Sequence, residues 1–187
     1  MTDKPARSIP WRGLGRHVAL DNPYFTVYFD DVLLESGKRL GHWVIDYRRR
    51  GVGVVPLLAD GRALLGLHYR YCPQRWGWEI VSGGVEPGEE VLTAARRELI
   101  EETGHSCPLI EPLAQYHPAP GIGNEQFHLY VARGIVPADH PLDRDEIQQL
   151  QSFGWSEIEG LIAAGEINDG FTLTGLLRCR TLGWLAG

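Results

Sequence analysis

GGVEPGEEVLTAARRELIEETGH, residues Gly83–His105, is the stretch around which the rest of the chain is read. A glycine turn opens it and Gly104 closes it. The spacing predicts a helix that begins around Glu89 or Glu90, where acid favours a helix N-terminus. Pro87-Gly88 marks the turn before it, and Gly104 is the expected C′ stop. Glu98, Glu101 and Glu102 stand at i, i+3 and i+4, on one helical face. At about 100° per residue they cover roughly 100° of arc. Leu92, Ala95, Leu99 and Thr103 fill the adjoining arc and form the expected core face. Three like charges on one patch of a packed helix are destabilising unless cations neutralise them. Hard oxygen ligands on a helix suit Mg2+ or Mn2+, and Mg2+ sites usually add substrate phosphates. Arg97 lies about 40° around the helix from Glu101 and projects close to Glu90. Its expected work is to orient the carboxylates.

The same residues resemble the Nudix box, G-x5-E-x7-R-E-U-x-E-E-x-G-U with U apolar. Gly83, Glu89, Arg97, Glu98, Leu99, Glu101, Glu102 and Gly104 match, and His105 stands where an apolar residue is usual. An ordinary solvated acidic helix face explains neither the glycine frame nor the Arg-Glu pair. The resemblance implies an α/β chain with the α+β Nudix fold, a mixed β-sheet sandwiched between helices. It also implies that Glu98 and Glu102 ligate divalent metal, joined by Glu101 and the backbone carbonyl of Ser82. Gly83 is then expected against the substrate, and Arg97 in a structural role. Such ions neutralise phosphate charge, orient the bridge and lower the pKa of a bound water.

Bulk composition sets the frame. The chain has 187 residues, enough for one domain with a small appendage. It is 43% hydrophobic, so a sizeable core is expected and disorder is not. A net charge of −6 argues against a nucleic-acid or membrane-surface partner. It does not argue against an anionic substrate, because a bound cation inverts the local field. Cys72, Cys107 and Cys179 show no CxxC spacing, which speaks against zinc and a disulfide framework. The N-terminus has no apolar signal region and no run approaches 18 apolar residues, so a cytoplasmic location is expected.

Outside the box, residues 1–14 read as a flexible or loosely docked arm. Phe25, Val27 and Phe29 alternate as a half-buried strand, and a second strand fits Leu40–Tyr47 across a turn at residues 35–38. The expected division is residues 1–48, an arm and antiparallel β unit for dimerisation and substrate contacts, and residues 49–187, the hydrolase domain. Residues 52–58 and 63–71 read as two strands, with Pro56 suggesting an edge, a bulge or a strand end. A short strand is expected at residues 76–80. Residues 108–116 lead into an irregular Pro/Gly loop, 117–125. A strand follows at 126–132, a polar loop at 136–144 and a last strand at 147–155. Ser156 is the expected N-cap of a helix through Ala164, and Asp169 or Thr172 starts the terminal helix.

Several of these segments resemble the ADP-ribose and nucleotide-sugar pyrophosphatase branch. DVLLESGKRLGHWVI (31–45) looks like its N-terminal hairpin. HYRY (68–71) looks like its strand with a phosphate-binding arginine, here Arg70. WEIVSGG (78–84) resembles its lead-in to the box, with Val81 for the usual Pro and Ser82 for Ala. Pro120 lies sixteen positions after Gly104, the proline spacing of that branch. Glu125 ends the loop at the place of a mobile-loop glutamate that helps activate water. GEINDGFT (165–172) resembles a further segment of the branch. Glu79 is expected as a structural partner for an arginine, and Trp43 as the flat partner of a nucleobase. His42, His68, His117 and His128 have no ligand spacing and read as structural or exposed.

The resemblance therefore implies Mg2+- or Mn2+-dependent hydrolysis of a nucleoside diphosphate-sugar, ADP-ribose to AMP and ribose 5-phosphate, by a homodimer. The alternatives are the same chemistry on GDP-mannose or a dinucleotide, or a non-catalytic ligand sensor of the same fold.

Overall fold

The computed structural model describes residues 9–140 and 146–185. In chain order the strands are β1 (Trp11–Asp21), β2 (Phe25–Leu34), β3 (Arg39–Tyr47), β4 (Gly51–Leu57), β5 (Ala63–Arg70), β6 (Arg75–Glu79) and β7 (Val81–Gly84). Helix α1 (Val91–Thr103) follows, then β8 (His105–Ser106), β9 (Leu109–Tyr116), β10 (Phe127–Arg133), β11 (Val136–Pro137) and β12 (Ile147–Phe153). Helices α2 (Trp155–Ala164) and α3 (Gly170–Thr181) complete it. The chain divides into two units. One takes the described residues up to Arg48 together with Ala119–Glu125; the other takes Arg49–Pro118 and the described residues from Gln126 on.

In the larger unit the sheet order is β12-β5-β4-β10-β9, with β6 paired to β5 and β7 paired to β4. β4 and β10 run parallel, and the other pairings in this sheet are antiparallel. Strand alternation sends Val52 and Val54 into a core with Val91, Ala95 and Leu99 of α1. It sends Val55 and Leu57 into the opposite core, with Ile158 of α2 and Leu176 of α3. The mixed sheet is thus sandwiched between helices. Gly175 permits close approach of α3: a Cβ there would stand 2.9 Å from Val55 Cγ2. Among the described residues no helix is long and apolar enough to cross a membrane.

The smaller unit is a three-stranded antiparallel sheet, β1-β2-β3. The expected arm is corrected here: Trp11–Leu14 belong to β1, and residues 1–8 lie outside the described residues. β1 was not legible because every one of its residues is exposed, so it shows no amphipathic period. The Pro/Gly loop is docked on β3. Ile122 O accepts from Ile45 N at 2.7 Å, and Asn124 Oδ1 accepts from Tyr47 N at 2.8 Å.

Other expectations shift in detail. Leu92 is 42% exposed, and the buried face of α1 is Val91, Ala94, Ala95, Leu99, Glu102 and Thr103. The helix is therefore turned so that a carboxylate enters the core side. Residues 109–116 form a full strand, β9, and residues 136–137 a short one, with 141–145 outside the described residues. Pro56 is in an interior strand, near its end, beyond the β7 pairing that stops at Val54. The N-cap of α2 is Gly154 rather than Ser156, and its N–H donates to Glu157 Oε2 at 2.8 Å.

Asp169 caps α3, accepting from the backbone N–H groups of Phe171 and Thr172 at 2.8 and 2.9 Å. Fully buried Thr172 accepts from Ile80 N at 3.0 Å, and Glu166 O accepts from Trp78 N at 2.9 Å. Residues 165–172 therefore fix the lead-in to the box. Thr172→Val would leave the Ile80 N–H buried without an acceptor. The expected cost is about 2 kcal/mol, which in a chain of this size lowers Tm by about 4–8 °C, readable by a thermal melt against wild type.

Candidate active site

The site grows from the turn between β7 and α1. Val81–Gly84 pair with Gly51–Val54 of β4, which fixes the strand just before the helix. Gly88 takes a left-handed φ of 83° in the turn, and Gly104 ends α1 at φ 65°. Between them α1 carries Glu98, Glu101 and Glu102.

Their environments differ sharply. Glu102 is only 3% exposed. Its Oε1 accepts from Ser82 N at 3.3 Å, while Oε2 is buried with no hydrogen-bond partner among the described residues. Burial pushes its carboxyl up to about 9, with smaller contributions from the charges of Glu98 and Glu146. Glu98 is also raised by burial, against the opposing pull of Arg97. Glu101 is the more open of the three and accepts from Arg97. Gly83 makes room for Glu98: a Cβ there would stand 2.0 Å from Glu98 Oε1 and 2.1 Å from its Cδ. Gly83→Ala therefore swings the Glu98 carboxylate aside while leaving the strand intact. A misplacement of this order costs about a hundredfold in kcat/KM, with Tm close to wild type; steady-state kinetics and a melt check both.

Arg97 is the hub. Nε and Nη2 donate to the two oxygens of Glu89, each at 3.0 Å. Nη1 donates to Glu98 Oε1 at 2.8 Å and to Glu101 Oε2 at 3.0 Å, and Nη2 reaches Gly84 O at 3.0 Å. Hydrogen bonding to Glu89 leads in holding its guanidinium protonated. The partner is Glu89, not the Glu90 that the helical projection suggested; Glu90 is the N-cap position.

A second strand supplies the facing groups. Arg70 of β5 forms a fork on buried Glu79, with Nε 3.1 and 3.0 Å from the two oxygens and Nη2 also on Oε2. Arg70 Nη2 also approaches Ser82 Oγ at 3.4 Å. His68, two residues earlier, is buried, with Nε2 lacking a partner and 3.8 Å from Glu102 Oε2. Burial first, then the Arg70 charge, push its imidazole down to about 4. A cavity of about 400 Å³ is lined by His68, Arg70, Trp76, Glu146 and Gln148, among others.

The larger unit thus gathers Ser82, Gly83, Glu98, Glu101, Glu102, Arg97, Arg70 and Glu79. Glu125 and Trp43 belong to the smaller unit. There Glu125 is half-buried, which raises its carboxyl, and Trp43 is 53% exposed with its ring edge-to-face against Phe29 at 5.0 Å. Two residues were not singled out from sequence. Glu146 is a fourth carboxylate whose charge is felt at both Glu98 and Glu102. His68 was read as structural or exposed and lies against Glu102. Neither has a helical spacing to the box; each arrives through strand pairing, β12 setting Ile147 opposite His68.

Among the described residues no three His, Cys, Asp or Glu side chains form a preassembled metal cage. The donor chemistry nonetheless fits a hard cation. A buried carboxylate oxygen without a partner, beside a second, half-buried carboxylate, is costly unless a positive charge joins it.

Comparison with known proteins shows the family. A family model for the NUDIX domain matches residues 47–172, and the chain belongs to the Nudix hydrolase family. Within it, the chain resembles the ADP-ribose pyrophosphatase branch. It is 24% identical over 168 residues to the ADP-ribose pyrophosphatase of Bacillus subtilis, covering 89% of this chain and 90% of that one. It is 29% identical over 174 residues to a CMP-5'-(N-acetyl-N-hydroxy-3-aminopropyl)phosphonate hydrolase of Streptomyces rubellomurinus, covering 92% and 84%. It is 32% identical over 147 residues to the methanol dehydrogenase activator of Bacillus methanolicus, covering 77% and 78%. A solved structure described as an ADP compounds hydrolase superposes with a TM-score of 0.83 at 22% identity, over 95% of this chain and 96% of that one, which shows the shared fold.

Proposed function

We propose that this chain hydrolyses the diphosphate bond of a nucleoside diphosphate-sugar, ADP-ribose to AMP and ribose 5-phosphate, with Mg2+ or Mn2+. The observation that carries the reading is the buried, unpartnered Oε2 of Glu102 beside Glu98, on a helix braced by Arg97. Glu98, Glu102, Glu101 and the Ser82 carbonyl would hold the cation. When bound, it supplies neutralisation of the diphosphate charge and activation of the attacking water. The chain's own groups do the rest. Arg97 holds Glu98 and Glu101 in fixed rotamers. Gly83 keeps the space in which Glu98 sits and brings backbone to the substrate. Arg70, oriented by Glu79, turns its remaining donor capacity toward a phosphate. The resemblance gives Glu125 the water-activating role; Glu146, whose charge acts on the box acids, is a second carboxylate for that role.

The smaller unit serves dimerisation and substrate contacts in this reading, with Trp43 as the base platform. Exposed Trp11, Leu14, Val18 and Leu20 on β1 support a second copy as its cover. The reading places the enzyme in the cytoplasm. A second reading, a different nucleotide derivative, is favoured by the relative whose name carries a CMP-phosphonate. Turnover with Mg2+ on ADP-ribose, GDP-mannose, dinucleotides and a CMP ester decides between them. ADP-ribose is expected to give the highest kcat/KM, and turnover of none of these would overturn the proposal. A single-chain mass in sedimentation at micromolar concentration would overturn the dimer.

A further inference from the structure

The least satisfied place among the described residues is where a side chain of β5 meets one of α1. His68 and Glu102 are 4% and 3% exposed, and each carries a polar atom without a hydrogen-bond partner. Those two atoms, His68 Nε2 and Glu102 Oε2, face each other at 3.8 Å. A buried imidazole N–H and a buried carboxylate oxygen left unpaired are each costly. Their separation exceeds an ordinary hydrogen bond of about 2.7–3.2 Å by less than the swing of one side-chain torsion. The other oxygen of Glu102 already has a donor, the Ser82 N–H. Gly66 leaves the ring its place: a Cβ there would stand 2.8 Å from His68 Nε2. The nearest basic neighbour, Arg70, is committed to Glu79.

We infer that His68 is a positioning residue for Glu102, donating its Nε2–H to Oε2 when Glu102 holds a divalent cation. With Ser82 N on one oxygen and His68 on the other, the carboxylate cannot rotate. Its remaining lone pairs are then fixed toward the cation, the general arrangement in which a ligating carboxylate is itself hydrogen-bonded. A neutral imidazole has one N–H to give, and this placement assigns it to Nε2. The inference rests on the proposed function for the role of Glu102 as a ligand, but not for the identity of the substrate.

The test uses full-length protein without substrate. Mn2+ is titrated and free ion is read by electron paramagnetic resonance for wild type, His68→Leu and His68→Gln. Leu removes the donor and keeps the bulk; Gln restores an N–H. His68→Leu is expected to weaken Mn2+ binding about tenfold to a hundredfold, and His68→Gln to recover most of it. With substrate, the Mg2+ concentration for half-maximal rate rises in parallel. A role in packing alone would lower Tm and leave Mn2+ affinity unchanged, and that result overturns the inference. So does equal loss in both variants, no Mn2+ binding by wild type, or nitrogen coupling in the Mn2+ spectrum that marks His68 as a direct ligand. Failure of ADP-ribose turnover with Mn2+ binding and its His68 dependence intact would overturn the substrate reading and leave this one standing.

Discussion

Glu102→Gln is expected to lower kcat/KM by about a thousandfold, since the proposed role makes Glu102 a cation ligand and loss of one removes several kcal/mol of transition-state stabilisation. The fold should survive, because Gln keeps the volume and an oxygen for the Ser82 N–H. Metal-free stability gives the complementary measurement. Burial raises the Glu102 carboxyl to about 9 in the folded chain, above its unfolded value of 4.5. The unfolded chain thus releases its proton first. The stability from this group is full below pH 4.5 and is lost as pH rises toward 9. Melts in EDTA between pH 5 and 9 should fall for wild type and run flatter for Glu102→Gln. Adding Mg2+ should raise the wild-type Tm and leave the variant's almost unmoved. Equal activity of the two proteins would remove Glu102 from the site.

Arg97→Lys is the second large effect. The substitution keeps the charge and removes the fork. Lysine offers one point of attachment where Arg97 binds Glu89, Glu98, Glu101 and the Gly84 carbonyl at once. Glu98 and Glu101 then lose their fixed separation. The expected result is a fall of about 10–100-fold in activity with a higher Mg2+ requirement. Kinetics across a Mg2+ series at saturating ADP-ribose separate the two components. A Lys variant indistinguishable from wild type would mean that charge alone holds the carboxylates.

The acid face of the box could be read from sequence because Glu98, Glu101 and Glu102 lie within about one helix turn, where spacing alone fixes the face. Even there, rotation of the helix was misjudged. Leu92 is apolar enough for the core but is 42% exposed, and the face that packs with Val52 and Val54 is centred on Val91, Ala94, Ala95 and Leu99 instead. Groups that reach the site through strand pairing were invisible in the same way. The side chains of His68 on β5 and Glu102 on α1 meet through the tertiary fold, and no periodicity encodes that. β9 was hidden by Pro112, which the sheet tolerates on an edge strand where the register with β10 shifts, opposite Tyr130. β1 was hidden by exposure on both faces and by the glycines at 13 and 15, the first of its two register shifts. The terminal helix was legible from Asp169, because a cap is a local event.

The ties around Arg97 close a loop within the chain. Gly84 O is held by Arg97, Ser82 N by Glu102 and Glu86 N by Glu89. The strand, turn and helix therefore brace one another locally, in addition to the β4 pairing and the Thr172 contact that hold the lead-in. Mutational tolerance should be correspondingly uneven. In a saturation scan scored for activity, residues 82–102 should form a block of low tolerance whose members fail together. Exposed positions on α2 and α3 should accept most polar replacements. The box acids and their brace form one cassette, residues 82–102, which Arg70 and His68 join from β5 and Glu79 from β6.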